Sequence, residues 1–131
     1  MEQNKVVIGV GSNIEPSKNI KEAQEAIANH FNLINTSSLI ETEPIGCMDQ
    51  DNFLNCAFLI ETELDSKTLK SWLKDLENKL GRVRTENKYG PRTIDLDIVV
   101  WNEEIVDSDV YERKFLQNSI TEVLPNLKIE K

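Results

Sequence analysis

Cysteine, histidine and positive charge are all scarce in this chain. Two cysteines, Cys47 and Cys56, and one histidine, His30, are too few for a disulfide framework or a cysteine–histidine zinc site. Both thiols are expected to be free in a reducing cytoplasm, with Cys56 buried as a small hydrophobe after Phe53-Leu54-Asn55. Lysine and arginine number 15 against 23 aspartates and glutamates, for a net charge of −8. That balance argues against a general nucleic-acid binder, which would carry a basic footprint. No apolar run is long enough to span a membrane. Met1-Glu2-Gln3-Asn4-Lys5 has no signal-peptide pattern. With 39% hydrophobic and 29% charged residues, the 131 residues are expected to form one soluble domain over 1–131 around a modest core.

The little positive charge there is collects in one place. Between Gly81 and Thr93 stand Arg82, Arg84, Lys88 and Arg92 against the lone acid Glu86. A strand-like run follows, Ile94-Asp95-Leu96-Asp97-Ile98-Val99-Val100. On a strand, residues two apart share a face, so Asp95 and Asp97 project side by side. Two carboxylates that close repel each other unless a cation sits between them. Hard divalent ions such as Mg²⁺ share a couple of carboxylates with substrate phosphates. A basic loop beside such a pair suits a polyanion carrying its own metal, such as a nucleoside triphosphate. A bare Asp-x-Asp is more often a solvated face. Here Gly90-Pro91 supplies a sharp turn ahead of the strand, and Arg92 sits three residues from Asp95.

Periodicity sets out the rest. Lys5–Val10 reads as a buried strand, and 18–31 as a helix with Ser17 as N-cap and Ile20, Ala23, Ala26, Ile27 and Phe31 at helical spacing. The stretch 33–42 reads as one strand broken by Pro44-Ile45-Gly46, and 53–63 as another. Ser66–Leu80 is a strongly amphipathic helix through Leu69, Trp72, Leu73, Leu76 and Leu80, stopped by Gly81. A strand at 95–101, a turn, a small strand at 105–106 and a short helix at 115–123 complete the chain. The order β-α-β-β-α-β plus a tail predicts an α+β, ferredoxin-like fold: an antiparallel sheet with helices packed on one face.

Several segments, taken in order, resemble the 6-hydroxymethyl-7,8-dihydropterin pyrophosphokinases. They are Ile8-Gly9-Val10-Gly11-Ser12-Asn13, Glu41-Thr42-Glu43-Pro44-Ile45-Gly46, Gln50-Asp51-Asn52-Phe53-Leu54-Asn55, Leu80-Gly81-Arg82-Val83-Arg84 and Tyr89-Gly90-Pro91-Arg92-Thr93-Ile94-Asp95-Leu96-Asp97. The last two are the specific ones. The resemblance implies transfer of pyrophosphate from ATP to the pterin hydroxymethyl oxygen, with AMP leaving, in folate biosynthesis. It implies that Asp95 and Asp97 hold two Mg²⁺ ions and that Arg82 and Arg92 clamp phosphate oxygens. Glu77, Arg84, Tyr89, Ile98 and Arg113 would complete the ATP site, and the loop with Arg84 and Tyr89 would close over it. The pterin would lie between Phe53 and Phe115, read by Asn55, with Thr42, Pro44, Ile45 and Asp95 lining its pocket. The implied protein is a cytoplasmic monomer whose partners are ATP and the pterin.

One segment departs from the pattern. The family carries a Pro-His stretch here, its histidine on the triphosphate; this chain reads Val106-Asp107-Ser108-Asp109-Val110-Tyr111-Glu112 before Arg113. That loss motivates an alternative, a non-catalytic homologue that binds pterin or nucleotide without turnover. An RNA-binding module is a third reading, since ferredoxin-like sheets bind RNA through strand aromatics; the acidic balance counts against it.

Overall fold

Residues Asn4–Ser12 form β1, a strand buried on both faces. Alternate side chains go to opposite sides, so Val6, Ile8 and Val10 join one apolar cluster and Val7 another. The computed structural model describes residues 3–44, 50–81 and 93–129. After β1 come α1 (Pro16–His30), β2 (Asn32–Thr36), β3 (Ile40–Thr42), β4 (Phe53–Thr62) and α2 (Ser66–Lys79). Then follow β5 (Asp95–Trp101), β6 (Glu104–Ile105), α3 (Asp109–Glu112) and α4 (Lys114–Val123). β1 pairs antiparallel with β4 on one side and β5 on the other. The sheet order is β2-β4-β1-β5-β6, with β3 also on β4. This is the ferredoxin-like order with two short strands and a helical tail added.

The two helices of that motif share one face, as the sequence predicts. Ile20, Ala23 and Ile27 of α1 and Leu69, Leu73 and Leu76 of α2 pack with Cys56, Phe58, Ile60 and Leu96 of the sheet. The opposite face is covered too. Leu116, Ile120 and Val123 of α4 pack on Val7, Ala57, Leu59 and Val99. The tail is therefore a second layer, and the first cavity described below is walled by it.

Three local readings change. Ser17 is not the N-cap of α1: Pro16 occupies the first turn and Glu15 is the cap residue, at φ 40°, with no side-chain cap bond. Proline's fixed φ suits the first helical position, which moves the start one residue earlier than the serine suggests. The single strand over 33–42 is two, because the chain leaves the ladder between Thr36 and Ile40. There the Ser37 hydroxyl accepts from the Ala57 amide (2.8 Å), replacing a strand partner. The segment before Arg113 holds the extra short helix α3.

For α2 the cap is Asp65, whose carboxylate accepts from the Thr68 amide at 2.8 Å. That hydrogen bond holds the Asp65 carboxyl below its ordinary value. Gly81, at φ 95°, ends the helix in the left-handed region that glycine adopts without a Cβ penalty. A depressed folded-state pKa adds stability above the unfolded pKa and loses it as pH falls through the folded one. Asp65→Ala is therefore expected to lower the urea midpoint at neutral pH. The gap to wild type should close as the pH drops below the ordinary aspartate value near 3.8. A gap that persists unchanged at lower pH would rule out the carboxylate as its source.

The two tryptophans, Trp72 and Trp101, are half-buried at the edge of the α1–α2 cluster. Trp72 lies tilted against His30 (5.1 Å between ring centroids) and meets Phe31 edge-on at 4.8 Å. Among the described residues no helix is long and apolar enough to cross a membrane.

Candidate active site

The strand register lays out a bare floor. Across the three central strands, Gly11 lies between Asn55 of β4 and Asp95 of β5, and Gly9 between Ala57 and Asp97. A Cβ at Gly11 would come 3.1 Å from Asn55 Oδ1; one at Gly9 would come 3.3 Å from Val99 and 3.5 Å from Leu116. Only hydrogen at these two positions leaves the Asn55 and Val99 side chains where they are. Glycines two apart in a strand signal close approach by another group, a signal that sequence reading passed over when assigning site residues.

Above this floor is a cavity of about 350 Å³, within the range of small-molecule sites. Thr42, Phe53 and Asn55 line it from β3 and β4, Asp95 and Asp97 from β5, and Arg113 and Phe115 from the tail. Five of the predicted pterin residues, Thr42, Phe53, Asn55, Asp95 and Phe115, are thus brought together from segments far apart in sequence. Asn55 is almost wholly buried, and its amide nitrogen donates to Thr42 Oγ1 (2.7 Å) and the Ile40 carbonyl (3.3 Å). These bonds fix the amide plane and so hold Oδ1 over Gly11. Just past the end of β1, Asn13 donates to Gln50 Oε1 (2.7 Å) and the Asp51 carbonyl (2.9 Å), tying that end of the strand to the approach to β4. Cys56 also lines the cavity, but burial pushes its thiol up to about 12, so it is no nucleophile at neutral pH.

A second cavity, of about 520 Å³, opens on the other side of β5. Lys70, Lys74 and Glu77 of α2 line it, with Ile98, Val106, Asp107 and Ser108. Asp95 and Asp97 line both cavities and so stand between them. Glu77 is buried, and its Oε2 accepts from the Leu96 amide at 2.7 Å. It therefore tethers the residue between the two aspartates. Arg113, placed with ATP by the resemblance, lines the first cavity, with Nε 3.8 Å from the Asp109 carboxylate. Pro44 is buried. Ile45, Arg82, Arg84, Tyr89 and Arg92 lie outside the described residues.

The donor set fits a metal that arrives with phosphate. Among the described residues no three His, Cys, Asp or Glu side chains group to hold an ion. Two adjacent carboxylates between two cavities supply hard oxygen ligands for part of a coordination sphere, the share that Mg²⁺ usually takes from protein.

The sequence matches the 7,8-dihydro-6-hydroxymethylpterin-pyrophosphokinase family over residues 7–125. The chain belongs to this family. A 2-amino-4-hydroxy-6-hydroxymethyldihydropteridine pyrophosphokinase of Bacillus subtilis is 34% identical, with 97% of this chain and 82% of the relative covered. Its Haemophilus influenzae counterpart by name is 36% identical over 93% of this chain and 86% of its own length. A folate synthesis bifunctional protein of Arabidopsis thaliana is 34% identical over 91% of this chain but only 27% of its own length. The departing segment places Val106, Asp107 and Ser108 in the second cavity. Lys70 and Lys74 line the same cavity and were not singled out from sequence. Their spacing from Glu77, one and two helical turns, is the signal that would have found them.

Proposed function

We propose that this protein transfers pyrophosphate from ATP to 6-hydroxymethyl-7,8-dihydropterin, releasing AMP, as a Mg²⁺-dependent step of folate biosynthesis. Family membership supports the reaction class. The observation that carries the residue assignment is the position of Asp95 and Asp97 between two cavities. One cavity suits a flat heterocycle and the other a nucleotide, so the reacting groups would meet at the carboxylate pair.

Phe53 and Phe115 hold the pterin by stacking, and Asn55 reads its polar edge. The hydroxymethyl oxygen then points toward β5. This oxygen attacks the β-phosphorus of ATP, the bond from that phosphorus to the α–β bridging oxygen breaks, and AMP departs with that oxygen. The hydroxyl proton passes to solvent, and the product is the pterin diphosphate. Asp95 and Asp97 would hold two Mg²⁺ ions, which would neutralise phosphate charge. Arg82, Arg84 and Arg92 bind phosphate oxygens, with Tyr89 and Ile98 completing the nucleotide site, and Arg113 stands on the wall of the pterin cavity. Lys70 and Lys74 add positive charge to the nucleotide cavity, where Asp107 opposes the triphosphate. Thr42, Pro44 and Ile45 shape the pterin end. Most of the rate enhancement comes from positioning and electrostatics. The protein works as a monomer of one domain in the cytoplasm.

The test is AMP release from ATP and Mg²⁺ with and without 6-hydroxymethyl-7,8-dihydropterin. AMP that appears only with the pterin is expected. A folded protein that binds pterin but forms no AMP would replace this reading with the non-catalytic homologue.

A further inference from the structure

The first cavity contains a polar group that the fold does not use. Ser119 lies on α4 one turn beyond Phe115, lines the cavity and is 1% exposed. Its hydroxyl finds no hydrogen-bond partner among the described residues. A helical serine can satisfy itself on the carbonyl four residues back, and Ser119 does not. The helix face around it is apolar: Leu116, Ile120 and Val123 pack on the sheet. An unsatisfied buried hydroxyl destabilises the empty protein, and alanine would sit there without that cost. Natural proteins keep such groups few, so each one calls for an explanation. The neighbouring wall supplies one, because Asn55 of the sheet and Phe115 of α4 line the same cavity.

We propose that Ser119 is a specificity-determining contact for the substrate, its Oγ hydrogen-bonding a polar edge atom of the flat heterocycle. Asn55 engages the ring from the sheet wall and Ser119 from the helix wall, so a ring with polar atoms on only one edge is bound less well. The ligand class is a fused, multiply heteroatomic ring, and the inference rests on the pterin reading above. Ser119 touches no reacting atom, so its effect falls on pterin binding.

The test compares Ser119→Ala and Ser119→Cys with wild type by calorimetry. The probes are 6-hydroxymethyl-7,8-dihydropterin and, separately, a non-hydrolysable ATP analogue with Mg²⁺. In both variants the pterin Kd should rise about tenfold, equivalent to about 1.4 kcal/mol, with the nucleotide Kd unchanged. The Tm of unliganded Ser119→Ala should equal or exceed that of wild type. Cysteine empties no space and has only a weak donor, so a loss shared by both variants does not come from an emptied space. Unchanged pterin affinity in both variants overturns the assignment of Ser119 while leaving the substrate reading intact. A wild-type protein that does not bind the pterin overturns the substrate reading, and this inference with it.

Discussion

Asp97→Asn is expected to lower pterin-dependent AMP release by about 10³-fold while leaving the fold as stable as wild type. The substitution nearly conserves shape but removes one of two adjacent carboxylates on β5. Polarisation and charge neutralisation by bound metal contribute several kcal/mol to such transfers. About 4 kcal/mol corresponds to three factors of ten in rate. Stability should change by no more than about 0.5 kcal/mol, since Asp97 is exposed. Pterin affinity should hold, because Phe53, Asn55 and Phe115 are untouched. Steady-state AMP formation, a thermal melt and a pterin titration check the three parts. Near-normal turnover in this variant would remove Asp97 from the metal site.

The second large effect is at Glu77. Its carboxylate is 2% exposed and accepts from the Leu96 amide, between the two aspartates. Glu77→Ala leaves that buried donor without its acceptor and opens a space beside β5. Together these should cost about 3 kcal/mol in a urea titration. Turnover should fall as well, because the strand that spaces Asp95 from Asp97 loses its tether. Glu77→Gln keeps an acceptor oxygen and gives up the charge, so its loss should be nearer 1 kcal/mol. A residue that only touched nucleotide would behave differently: the KM for ATP would rise and the urea midpoint would stay. That pattern in Glu77→Ala would falsify the tether.

Short-range regularities account for what could be read along the chain. Period-two alternation marked β5 to the residue, and a single apolar stripe marked α2, because these patterns are imposed by backbone geometry within one element. The Asp95–Asp97 pair was legible for the same reason: two residues on one strand share a face wherever that strand lies. Four-residue turn chemistry also carried, as Gly81 at φ 95° shows. The start of α1 and the break between β2 and β3 did not. Proline at Pro16 outweighed serine at Ser17, and the break depends on Ser37 bonding to Ala57, 20 residues on. The remaining features required contacts between distant segments. Gly9 and Gly11 matter because β4 and β5 flank them with Asn55, Ala57, Asp95 and Asp97. Glu77 became a tether because α2 packs beside β5. Ser119 became a candidate contact because α4 covers the face of the sheet that carries the glycines. Local pattern follows from the backbone of one segment, whereas a cavity is the space left between segments and exists only once they have packed.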